Sequence, residues 1–197
     1  MNTVLRSKLL EMKALDGRTR ARLAEAGELF AGYAPRMEEV HSRNADLLAE
    51  IVEEHGWPGK RLVGEDGCEA AWLVAQHAIS RPAHQRSFLA ALTAAVQRKD
   101  APPRHLAYLE DRIRFNERRP QVYGAILDWG PDGELTAGPV EDPETLDARR
   151  AAVGLPPLAD ALAAATSEAR QAGEGPPADV AGRDREIDLW AKRVGWL

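Results

Sequence analysis

Cysteine is almost missing from this 197-residue chain: Cys68 is alone. One thiol can close no intramolecular disulfide and makes no CxxC zinc pattern, so a reducing compartment is expected. Long apolar runs are missing too. The N-terminal stretch MNTVLRSKLLEMKAL is broken by Arg6, Lys8, Glu11 and Lys13, leaving no signal-peptide core, and no run reaches the length of a membrane span. Positive charge is not in excess: 26 Lys and Arg stand against 31 Asp and Glu, for a formal net charge of −5. A broad face that holds nucleic-acid phosphates is therefore not expected. The expectation is a cytoplasmic protein with neither a nucleic-acid nor a membrane partner.

Nucleotide and metal signatures are also lacking. GEDGCEAAW has glycines before a helix but no Lys-Ser/Thr, and neither GxGxxG nor GxSxG occurs. There is no HExxH, and one ExxH, Glu38 to His41, reads as a surface pair. No resident cofactor is expected. The minor alternative is a divalent ion on His55 and His77, with His41 as a third imidazole if the second and third helices run antiparallel.

What is present is helical periodicity. It predicts a mainly α fold of the α+β class: a bundle of about five to seven helices with a small β-hairpin near 121–140. Helices are expected over 3–30 (Leu5, Leu9, Met12, Leu23 and Leu29), 36–55, 65–79, 83–98 and from the Pro102-Pro103 pair onward. HGWPGKRLVGEDG is read as a loop. A helix over EDPETLDARRAAVG and another over PPLADALAAATSEARQ follow the hairpin, whose turn falls at Pro131-Asp132-Gly133. Composition divides the chain into a helical domain 1–171 with the β-hairpin, a linker 172–181 and a short amphipathic C-terminal helix or tail 182–197. The tail carries two tryptophans and suits self-association or docking of a partner.

Polar residues intrude on the apolar stripes at Asp16, Arg20, Asn44, His55, Gln76, His77, Asp111 and Arg112. Burying them costs free energy unless each finds a partner. Singly they have plain structural readings, Asp16 with Arg20 being an ordinary i,i+4 ion pair. The stretches HGWP, VGEDG, EAAWLVAQHAI, AYLEDRIR, RPQVYG and LDARRAAVGLPPLA together resemble an uncharacterised bacterial family of unknown function met often in actinobacteria. The family is marked by HGWP, a helix ending in Gln-His, an Asp-Arg pair and a Gln-x-Tyr-Gly-Thr-Gln strand. The resemblance runs from about Leu5 to Leu162 and implies importance for Asp16, Arg20, Asn44, His55, Trp57, Pro58, Gly64, Gln76, His77, Gln85, Asp111, Arg112, Gln121, Tyr123 and Gly124. The chain departs from it at Ala125-Ile126, where the family has Thr-Gln, and at Gly17.

Two functions are weighed. In the first, a small-molecule enzyme uses His77, with His55, as acid and base, because imidazole titrates near neutrality. Asp111 orients that imidazole, and Gln76, Arg112, Arg20, Asn44, Trp57, Gln85, Gln121 and Tyr123 bind substrate. Cofactor-independent hydrolysis, elimination or isomerisation is the chemistry these groups allow. In the second, the same residues form a buried network in a non-catalytic ligand- or protein-binding module. The enzyme reading expects His55, His77, Gln76, Asp111, Arg112 and Gln121 around one cavity.

Overall fold

In a computed structural model the chain is described over residues 1–28 and 33–197, and Leu29 of the expected first stripe lies outside the described residues. The described residues form eight α-helices and one two-stranded antiparallel hairpin. They divide into two compact units, Met1–Leu106 and Ala107–Leu197, and the division falls inside a helix.

The first unit holds α1 (Thr3–Glu25), α2 (Pro35–His55), α3 (Lys60–His77) and α4 (Pro82–Gln97). Asn2 caps α1 by accepting the Leu5 N–H at 3.1 Å. The buried positions of α1 are Leu9, Met12, Asp16, Thr19 and Leu23, a 3-4-3-4 spacing that makes one stripe with a carboxylate at its centre. The buried residues of α2 are Met37, His41, Ser42, Asn44, Ala45, Leu48 and Ile51, three of them polar.

Cross-contacts fix the helix directions. Arg6 pairs with Asp66 and Asp16 with His77, both pairs ascending, so α1 and α3 run parallel. Asn44 Nδ2 donates to the Met12 carbonyl at 3.2 Å and His41 approaches Asp16, so α1 and α2 are antiparallel. It follows that the start of α2 lies beside the end of α3.

The third helix starts five residues earlier than its periodicity suggests. Gly64 sits at φ +78°, a left-handed kink that a glycine adopts at no steric cost, and the helix continues on both sides of it. The Asp100 carboxylate and carbonyl accept the Arg61 and Lys60 N–H groups, each at 2.8 Å, and so cap the new start. At the other end Gln85 Nε2 donates to the carbonyls of Ala75 at 2.6 Å and Gln76 at 3.2 Å. A 3-10 turn, Ala78–Ser80, then leads into α4.

α5 (Pro103–Asn116) begins in the first unit and continues into the second, which also holds β1 (Asp128–Trp129), β2 (Leu135–Thr136), α6 (Leu146–Ala152), α7 (Leu158–Ala172) and α8 (Val180–Val194). The strands pair Asp128 with Thr136 and Trp129 with Leu135, a shorter hairpin than residues 121–140 suggest. Gln121 bridges Val140 through the backbone, while backbone groups from 122 to 126 are bonded by side chains. Asp111 accepts the N–H groups of Val122 (2.7 Å), Tyr123 (3.0 Å) and Ala125 (2.9 Å). Gln121 both accepts from Ile126 N–H at 2.9 Å and donates to Ile126 and Ala137 carbonyls. Arg150 closes the loop from the other side, donating to the carbonyls of Tyr123 (2.7 Å), Gly124 (3.1 Å) and Pro156 (2.6 Å).

Candidate functional site

The first unit gathers one carboxylate and two imidazoles from three helices. Asp16 of α1 is 3% exposed, and its Oδ2 lies 2.5 Å from His77 Nδ1 and 3.1 Å from His41 Nε2. The imidazole rings of His41 and His77 are 4.7 Å apart between centroids. On its far side His41 Nδ1 meets the Tyr33 hydroxyl at 2.7 Å. Tyr33 is also bonded to Ser80, whose hydroxyl donates to Glu38 at 2.8 Å. His77 is the member that reaches solvent, with 34% of its side chain exposed.

Burial pushes the Asp16 carboxyl up, but its contacts with His41 and His77 outweigh burial and hold it well below the usual carboxylate range. Burial lowers the His41 imidazole, against the pull of Asp16 in the other direction. Asp16 is therefore a buried ionised group, which persists only where positive charge or donated hydrogen bonds surround it. Arg20, read as its partner, is exposed one turn further on, and Asp16 turns to the two imidazoles instead.

His55 is not part of this cluster. It stands at the end of α2, 3.5 Å from Glu54, fourteen residues beyond His41. At 1.5 Å per helical residue this is roughly 20 Å along the axis. An ion shared by His55 and His77 is excluded by that separation. Trp57, just past His55, is 3% exposed and packs at that same end with Cys68, so it forms no wall beside His77.

Asp111 does not orient His77, because its oxygens accept the three loop N–H groups. Burial nonetheless raises its carboxyl, against the lowering effect of those donors. Gln121 is likewise bonded to its own loop, and the Tyr123 N–H is held by Asp111. Arg112 is held below its usual value by burial, and its Nε has no hydrogen-bond partner among the described residues. Asn44 and Gln85 bond main-chain carbonyls between helices, and the buried Gln76 keeps an Nε2 without a partner among the described residues. Of the residues read as a site, only His77 belongs to this cluster; its carboxylate partner, Asp16, was read as an ion-pair partner of Arg20.

Sequence reasoning passed over Tyr33, Ser80 and Arg150, and placed His41 only as a third imidazole beside His55 and His77. His41 alone left a signal, since it falls on the apolar stripe of α2. A groove of about 760 Å³ lies at the opposite end of α3 and is lined by Lys60, Glu65, Glu69, Lys99, Arg104 and His105. There the buried His105 stacks on Trp72 at 4.7 Å and bonds Glu69 at 2.8 Å.

A family model spanning residues 3–168 matches this chain, and it is described as a family of unknown function, DUF6624. The chain belongs to that family. No curated protein and no solved structure matches it. The DUF6624 segment takes in all of α1 to α6, the Asp16–His41–His77 cluster and most of α7, and ends before α8.

Proposed function

We propose that this chain is an enzyme that transforms a small molecule by proton transfer at the solvent-facing side of His77. The observation that carries the reading is the 2.5 Å contact between His77 Nδ1 and the buried Asp16 carboxylate. A carboxylate on Nδ1 fixes the ring and its tautomer, leaving Nε2 to accept a proton from a substrate or a water and to return it later. Asp16 then balances the imidazolium that forms. This is the role expected of Asp111, taken by a residue of another helix. Hydrolysis, elimination and isomerisation are the reaction types open to it.

A second reading, a non-catalytic ligand- or protein-binding module, is favoured by Asn44 and Gln85, whose amides stitch helices through main-chain carbonyls. Thermal-shift screening of a metabolite panel on the wild type and His77→Ala separates the two. A hit that stabilises the wild type but not the variant, and that the wild type converts while His77→Ala does not, supports the enzyme. Equal stabilisation of both proteins without turnover overturns it.

A further inference from the structure

The acid–base pair uses His77 and Asp16 and leaves His41 without a task. His41 is 8% exposed, and among the described residues its buried Nε2 has no hydrogen-bond partner of good geometry, although Asp16 Oδ2 is only 3.1 Å away. On its other side His41 Nδ1 lies 2.7 Å from the Tyr33 hydroxyl. In the tautomer whose Nδ1–H donates to Tyr33, a neutral His41 carries a lone pair at Nε2.

That lone pair faces a carboxylate oxygen. Two acceptors 3.1 Å apart in a buried place repel unless something positive lies between them. One ligand atom from each of Asp16, His41 and His77 lies within 4.8 Å of the other two, a span that a divalent ion about 2.0–2.2 Å from each ligand can bridge.

We infer that Asp16, His41 and His77 form a mononuclear binding site for a borderline divalent cation of the zinc or ferrous class. Two imidazoles and one carboxylate suit these ions rather than magnesium or calcium, which take oxygen donors. Three protein ligands leave at least one position for water, the arrangement of a reactive rather than a structural ion. Tyr33 is a positioning residue that sets the His41 tautomer, as outer partners of metal-bound histidines do.

The inference rests on reading this cluster as the reactive centre. With the ion in place, water on the ion takes over from His77 Nε2 as base, and His77 becomes a ligand. His41 separates the two ideas, since the metal-free pair does not need it.

The test is calorimetric titration of Zn²⁺ into the full chain, its His41→Ala, His77→Ala and Asp16→Asn variants, and His84→Ala as a surface control. One ion per chain is expected for the wild type and His84→Ala, with affinity lowered at least tenfold in each of the other three. Tyr33→Phe should lower it between threefold and a hundredfold. Should a variant fail to fold, imidazole NMR of the wild type decides: stoichiometric Zn²⁺ must move the His41 and His77 signals and leave those of His55 and His84. Absence of stoichiometric uptake, or His41→Ala binding as tightly as wild type, overturns the inference. If a His77-dependent conversion survives in that case, the acid–base reading stands without the ion.

Discussion

At the scale of single residues, chemistry was easier to see than partnership. Gln76-His77 stands out in the sequence because an imidazole directly follows an apolar run, and Asp16 because it falls on a stripe. Neither pattern names the helix that lies opposite, so Asp16 was matched to Arg20 on its own helix. Asp111 was legible as a buried carboxylate, but its partners are backbone N–H groups, which leave no mark in a sequence. Arg150 is worse still, since nothing distinguishes it from Arg149 beside it until its 2% exposure is known. Two predictions belong here. Asp111→Ala leaves three loop N–H groups without their acceptor, and at roughly 1–3 kcal/mol for a buried orphan it should lower unfolding free energy by at least about 2 kcal/mol in urea titration. Cys68 is buried, and burial pushes its thiol up to about 11. Because the thiolate is the reactive form, the native protein at pH 8 should resist a disulfide reagent, and urea should release one fast-reacting thiol.

At the scale of elements, periodicity located the helices of the first unit well and their ends less well. The glycines of HGWPGKRLVGEDG suggested a loop, yet α3 runs through most of it because Gly64 bends the helix without ending it and Asp100 caps the start from a distant position. The hairpin shrank for a related reason: side chains of Asp111, Gln121 and Arg150 satisfy backbone groups that strand pairing was expected to satisfy. Gly124 sits within that loop at φ +59°, where an added Cβ would lie 3.2 Å from Ala137 Cβ and 3.3 Å from Val140 Cγ1. Gly124→Ala should therefore cost about 1–3 kcal/mol through strain at a left-handed backbone, read as a lower thermal midpoint. Ala125 and Ile126 make their polar contacts through the backbone, Ala125 N–H to Asp111 and Ile126 N–H and carbonyl to Gln121. Those contacts do not depend on the side chains that set this chain apart from the Thr-Gln pattern.

At the scale of the molecule, a mainly α fold was legible from composition and periodicity, whereas the grouping of the helices was not. The C-terminal segment read as a short amphipathic helix or tail forms α8, whose Ala191 and the following Trp196 are buried. Arg183 bonds Asp128 of β1 at 2.7 Å, and Arg118 bonds Asp188 at 2.6 Å, so α8 belongs to the second unit by charge as well as by packing. Removing residues 173–197, which lie beyond the family segment, should lower the melting temperature by several degrees in circular dichroism. An unchanged melt would show that α8 contributes nothing to that unit. No described helix is long and apolar enough to cross a membrane.

The three side chains of the cluster come from three helices, and its carboxylate comes only from the N-terminal one. The first unit is therefore built like a split reporter. A chain beginning after Gly27 carries both imidazoles but not the acid that holds them, and a synthetic peptide of residues 1–27 supplies that acid without either imidazole. Mixing the two would rebuild the cluster only where α1 docks, so any signal from His77 on adding the peptide would measure the strength of a single helix–helix contact.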